Sequence, residues 1–492
     1  MTFSLCRRML SRNLFWMLLL VIIVSCREHS LDEEDTCHDQ IMSEALLICQ
    51  KGKHPMGDHS LYRYYKEKNR LCWLEDLSDT IPIQTLWSVL SKVGEHGLTP
   101  DQFHYDSLLQ EYRTLIALPK DSARHYPDRI AALDYRITES YLLYVRGLRY
   151  GFLDPYKLFN TSEKAEPRYE GDETVRMKEL FDIPVERCDT LFLYSSLEQV
   201  NGGKLLSFLS GLYPQNDLYG RLMQSIPSIK MDQLSRIASL EMMRWRPLNV
   251  EKGKKHVFVN LASQELITYD EEGIPVLTMK VCCGSLRHKS PMLRSKITRL
   301  DANPFWNVPL SIVRREVIPG YRKDTTYFRK HRMKVYDRKG NEISPHEVEW
   351  DETSDKILYL VRQDNGLDNS LGKIIFRFPN KFDVYLHDTP NRIAFERNNR
   401  AVSHGCIRLE KPLDLLSFLE PDTVRYTRIL QTMQPDEDGN FHLKNFSFST
   451  SVPLWIGYSA VKLDALGELR YGNDPYGYNE LVGTKIRTIN PD

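Results

Sequence analysis

A single cysteine stands in the stretch AVSHGCIRLE, Ala401 to Glu410, between a glycine and an isoleucine and two places after a histidine. A cysteine attacks a carbonyl as its thiolate, so it needs a base close by and donors to hold the oxyanion that forms. His387 and His404 are the candidate bases nearby in sequence. His387 ends the strand-like run FDVYLH, 19 positions before Cys406, and a strand would deliver its ring rigidly to the rim of a sheet. The polar run DTPNRIAFERNNRAVSHG between them is long enough to fold back and bring the two side chains together. Gly405 allows close backbone approach, so the amides around Gly405 and Cys406 are candidates for an oxyanion hole. Together these residues describe a Cys–His acyl-transfer enzyme; the competing reading is a structural cysteine beside an unrelated surface histidine.

Two different textures of chain must position these groups. From about Ser60 to Trp245 the sequence reads as mostly helical. In LDYRITESYLLYVRGLRYG, Leu133, Ile137, Tyr141, Tyr144 and Leu148 recur at helical spacing, and Gly151 and Pro155 end the run. After MMRWRP the run KHVFVNLASQELITYDEEGIPVLTMKVCCGS gives two β-rich stretches about an Asp270–Gly273 turn, a hairpin signal. Further strands are expected at Lys373 to Phe378 and Phe382 to His387, and Trp306 to Gly372, between the hairpin and these strands, is charged and turn-rich as an insertion would be. The expected class is α+β, a mostly helical domain followed by a mainly β catalytic domain.

The 66 basic and 66 acidic residues balance, so no global field favours nucleic acid, and neither a phosphate loop nor a Cys-x-x-Cys pair suggests nucleotide or metal chemistry. At the amino terminus Arg7, Arg8 and Arg12 precede an apolar run from Leu14 to Val24 that is short for a membrane span and fits a secretory signal. IVSC, Ile23 to Cys26, resembles a lipobox with Cys26 as the lipidated residue; an uncleaved anchor helix is the other reading, and both put the bulk of the chain outside the cytoplasm. The acidic LDEED that follows loosely resembles a surface-sorting signal, but such a run is usually a solvated tether. Of nine cysteines, Cys6 leaves with the signal and Cys26 carries lipid, so the remaining seven leave at least one unpaired within the monomer. Cys282 and Cys283 are strand neighbours expected on opposite faces.

The stretch YLHDTPN…AVSHGCIRL resembles the signature of the L,D-transpeptidases, whose catalytic domain has the YkuD fold. NPFWNVPLSI, VRQDNGLDNSLGKIIFRFPN and VPLWIGYSAVKLDALGELRYGNDPYG are similar to the large, multidomain periplasmic type, and GLTPDQFHY, RITESYLLYVRGLRYGFLDP and MMRWRP to its helical scaffold. With a signal peptide over 1–25 and a tether over 26–60 read from the amino terminus, the resemblance implies a scaffold over 61–245 and a YkuD-type sandwich over 246–492, with a capping insertion at about 309–372. Cys406 would attack the carbonyl of the third stem-peptide residue, a diamino acid, at its L-centre and expel the terminal D-alanine. A side-chain amine of a second stem would resolve the thioester into a 3→3 cross-link of peptidoglycan. His387 would be the base, oriented by the backbone of Asp388, and carbapenems would acylate the same thiol. No metal or organic cofactor is implied.

His404 is expected to shape the loop or touch substrate, Tyr385 to line the cleft from the His387 face, and Arg408 either to meet a stem carboxylate or to brace the loop. Trp306 reads as core or lid packing. Two departures from the family stand out. The run Leu212 to Trp245 leaves no room for the small wall-binding domain that large members often insert, and Ser290 stands where threonine is commoner. The sequence thus predicts a lipid-anchored envelope enzyme acting on peptidoglycan stems. An L,D-carboxypeptidase, a cross-link-cleaving peptidase and a non-catalytic wall-binding lipoprotein are the alternatives, and neither acceptor nor oligomeric state is legible.

Overall fold

The structure is a computed structural model and describes residues 36–52, 55–119, 126–164, 175–248, 253–350, 359–464 and 466–489. The signal run and Cys26 lie outside the described residues. The expected α+β class holds, with helices dominating the first half and strands the second.

In the helical half the longest element is α1, Pro127–Tyr150, opened by a proline in its first turn and closed by Gly151 at φ 90°. Leu133, Ile137, Tyr141, Tyr144 and Leu148 are all buried, as their spacing requires. The same helix also buries Asp134, whose carboxylate accepts from Tyr65 Oη at 2.7 Å and from the amides of Cys72, Trp73 and Leu74. That one side chain ties the turn at 71–74 to the helix, because a buried carboxylate needs every partner it can find.

The tether expected over 26–60 is corrected here. Residues 36–51 form a helix that buries Met42, Ala45 and Cys49 against the scaffold, and a second helix, Pro55–Lys68, follows it. The acidic run just before drew attention away from the apolar positions 42, 45 and 49, whose spacing of three and four marks a packed face.

The strand-rich half is built on β1 His256–Asn260, β2 Glu265–Tyr269, β3 Pro275–Gly284, β4 Met292–Ala302, β5 Ile374–Arg377, β6 Leu386–His387, β7 Ala401–Ser403, β8 Ile407–Leu409 and β9 Lys444–Gly457. Hydrogen-bonded neighbours run in the order β5, β6, β8, β3, β2, β1, β9, β4, and β4 pairs back onto β5, so the sheet closes on itself. Closure leaves two faces, one turned into the core and one outward. Cys282 and Cys283 show both: Cys283 joins the main core, whereas Cys282 packs outward against Ala394 and Phe395.

The two halves share one continuous apolar core that takes in Leu86 and Tyr141 from the helices and Val257, Leu300 and Ile456 from the sheet. Phe181–Asp182 adds a short parallel strand beside Met292 and Leu293 of β4. At the other end the helix α3, Tyr478–Arg487, returns to the scaffold, where Asn479 Nδ2 donates to Ser235 Oγ at 3.2 Å on the helix α2, Lys230–Arg244.

Between β4 and β5 the insertion has a small core of its own, including Ile312, Val317, Tyr321, Phe328, Val335 and Val361. Its strands Met333–Tyr336 and Leu360–Gln363 pair antiparallel, and Trp306 packs against this core.

Candidate active site

β6 and β8 lie side by side and parallel, with Leu386 opposite Ile407 and His387 opposite Arg408. Leu386 and Ile407 are both fully buried in the core. Strand alternation then turns Tyr385, His387, Cys406 and Arg408 to the other face. Sequence reasoning brings Cys406 and His387 together through a long loop; the structure does it through this parallel register, with the two residues diagonal to each other across adjacent strands.

His387 is not on an exposed rim but only 4% accessible. Its Nδ1 lies 2.5 Å from the carbonyl oxygen of Asp388. A carbonyl only accepts, so Nδ1 carries the proton and Nε2 presents its lone pair. Burial, then the neighbouring Arg408 guanidinium, pushes the imidazole down to about 3. The ring is therefore neutral at physiological pH and able to take a proton.

Asp388 itself is fixed by its side chain. Oδ2 accepts from the Lys373 amide at 2.9 Å and Oδ1 from Arg392 Nη2 at 2.5 Å, while Arg392 Nη1 reaches the carbonyl of Glu410 at 3.0 Å. Gly372 sits so close that a Cβ there would lie 2.3 Å from Asp388 Oδ2, and its φ is +64°. Sequence reading passed over Lys373, Gly372 and Arg392, because nothing in their types points at a histidine four or more positions away.

The Cys406 sulfur has Tyr385 as its hydrogen-bonding neighbour, through both hydroxyl and main-chain amide. Burial pushes the thiol up to about 11, with the Tyr385 contacts opposing that rise. The Tyr385 ring in turn meets the His387 ring edge-on at 5.6 Å and is covered by the Arg377 guanidinium at 4.7 Å, which Asp301 holds through Nε at 2.7 Å. The Tyr385 side chain thus lies between Cys406 and His387.

Around the cysteine the loop is clamped from two sides. Ser403 Oγ donates to the Cys406 carbonyl at 2.5 Å and accepts the Gly405 amide at 3.2 Å. Gly405 has φ +115°, a conformation that favours glycine, and its carbonyl accepts Ser290 Oγ at 2.6 Å. Ser290 is buried, accepts the Gly284 amide at 2.9 Å and donates its own amide to Tyr476 Oη at 3.1 Å. The serine noted as a mild departure from the family is therefore a direct support of the cysteine loop.

His404 points to the capping insertion, where its Nε2 meets Glu316 Oε1 at 2.8 Å. Arg408 lies beside His387, and its buried Nε has no hydrogen-bond partner among the described residues.

Residues 254–429 match the YkuD family, described as the L,D-transpeptidase catalytic domain. The chain carries a YkuD L,D-transpeptidase catalytic domain. Ahead of it, residues 59–226 match the Scaffold domain family. Over 228 residues the chain is 34% identical to a Haemophilus influenzae protein named "Putative L,D-transpeptidase", an alignment that takes in 45% of this chain and 46% of that one. It thus spans just under half the length of that curated relative. Among solved structures, an L,D-transpeptidase from Mycobacterium smegmatis is 12% identical at a TM-score of 0.21, covering 42% of this chain and 58% of that one. The Ldtfm–avibactam carbamoyl enzyme is also 12% identical at a TM-score of 0.21, covering 65% and 81%. Every residue of the face described above from Tyr385 to Arg408 falls inside the YkuD match, and so do Ser290 and the capping insertion.

Proposed function

We propose that this protein is a cysteine-dependent L,D-transpeptidase that forms 3→3 cross-links in peptidoglycan and is held in the cell envelope by lipid on Cys26. The observation that carries the reading is the common face of Cys406, Tyr385 and His387 on parallel strands, with His387 Nε2 left basic by the Nδ1 contact to Asp388.

At rest both partners are neutral, since burial holds the thiol up and the imidazole down. The thiol proton therefore leaves as Sγ meets the carbonyl of the third stem residue, passing to His387 directly or across the Tyr385 hydroxyl. The Gly405 amide is engaged by Ser403 Oγ, so the Cys406 amide is the donor assigned to the oxyanion. Collapse of the tetrahedral species expels D-alanine, which takes the proton back from His387, and leaves a thioester. An amine of a second stem attacks the thioester, His387 removes its proton, and the thiol is regenerated. Arg408, with an unpartnered Nε, is assigned to a carboxylate of the stem.

The order of basic residues, short apolar run and Cys26 supports export and lipidation. Incubation with disaccharide tetrapeptides tests the activity: D-alanine and cross-linked dimers are expected by mass spectrometry. Tripeptides without dimers would assign carboxypeptidase activity instead, and no turnover at all would leave a wall-binding role.

A further inference from the structure

The capping insertion grips the cysteine loop and the adjoining β3–β4 loop through one contact each, neither used by the acyl transfer. Its π-helical turn, Val313–Val317, sends Glu316 to His404 Nε2 at 2.8 Å and Arg315 Nη1 to His288 Nε2 at 2.9 Å. His288 belongs to the loop joining β3 to β4, and its ring lies 4.9 Å from that of His404. Two consecutive cap residues thus hold two adjacent imidazoles, one of them two positions before the nucleophile. A widened helical turn of this kind is rare and recurs at functional sites.

We propose that Glu316 and Arg315 form a clasp that closes the capping subdomain over Cys406, and that acidification releases it. The clasp is read from geometry; only its consequence for turnover rests on Cys406 being the nucleophile of a transpeptidase.

The two halves of the clasp use their histidines differently. A guanidinium only donates, so His288 must be neutral with Nε2 bare, which places its proton on Nδ1, turned to Ser285 Oγ at 3.4 Å. His404 meets a carboxylate instead, through Nε2. A proton on His288 would remove the acceptor and set a new cation beside Arg315, Lys178 and His404, opposed by the Glu316 carboxylate. Burial and those cations hold His288 below the ordinary imidazole range. A base whose value is depressed in the closed state favours closure above its open-state value, and closure is lost as pH falls through the closed-state one. On the cap side Glu316 also faces Tyr327. His404 and Glu316 are both exposed, and exposed pairs are weak, which suits a contact that must break to admit a second stem.

The test is labelling of Cys406 in the full chain by N-ethylmaleimide, followed by the mass of its peptide and normalised to the same cysteine in the unfolded chain. Glu316→Gln should speed labelling about two- to fivefold at neutral pH. The exchanged pair Glu316→His with His404→Glu should restore the slow rate. The wild type should show the same acceleration as pH falls toward 5, and Arg315→Met should show none because its clasp is already open. This pattern upholds the clasp even where no stem peptide is turned over. Labelling unchanged in Glu316→Gln, or as fast in the exchanged pair as in the single variant, would overturn it.

Discussion

His387 donates an Nδ1 hydrogen bond to the carbonyl oxygen of Asp388, 2.5 Å away, a contact that places the ring proton on Nδ1. Asp388 is held in place by Lys373 and Arg392, so the orientation of the His387 ring is supported by residues outside the face it shares with Cys406. Removing the base should leave the fold and abolish most of the rate: His387→Asn is expected to lower D-alanine release about 100- to 10,000-fold, measured at saturating stem peptide.

The thiol raised to about 11 makes a direct prediction for the resting protein. Alkylation of Cys406 by iodoacetamide should still be climbing at pH 10, whereas an ordinary cysteine levels off near 9. Tyr385→Phe keeps the ring but removes the hydroxyl that stabilises the thiolate, so the alkylation midpoint should move upward by up to about one unit. A midpoint that moved down would show the phenol acting on the thiol in the opposite sense.

Ser290 should matter as much as residues in the cleft. Ser290→Ala strips the Gly405 carbonyl of its donor inside a buried site and should cost about 1–3 kcal/mol in chemical denaturation. It should also lower the rate, while Ser290→Thr, which keeps the hydroxyl, retains both.

Acid stability carries a signature of two buried imidazoles. His387 and His96 are each lowered to about 3, the first by burial and Arg408, the second by burial and Arg244. Between about pH 6.5 and 3 the unfolded chain binds a proton at each site that the folded chain refuses, so stability falls as pH drops, by up to about 1.4 kcal/mol per unit per histidine. His96→Gln should flatten that slope in urea titrations across this window, whatever it does to stability at pH 7.

That Cys406 and His387 belong to one site was legible because cysteine and histidine carry chemistry in their types, and because glycine before the cysteine marks a turn that other residues resist. Class and hairpin were legible for the same local reasons, as the Asp270 turn and the α1 stripe show. The supports were not. Ser290, Tyr476, Arg392 and Lys373 reach the site from loops and strands whose proximity exists only after the sheet has closed. The helix at 36–51 was hidden by its neighbours' charge, and the shared core of the two halves by the change of texture near residue 246, which marks a switch of secondary structure rather than a break in packing.

The central claim is that Cys406 forms the acyl bond. The most direct measurement is peptide-mapped mass spectrometry of the full chain quenched in acid during turnover of a disaccharide tetrapeptide. The account predicts a disaccharide-tripeptide adduct on the Cys406 peptide, with D-alanine released in step and neither product in Cys406→Ala. An adduct on another residue, or D-alanine release undiminished in Cys406→Ala, would contradict it.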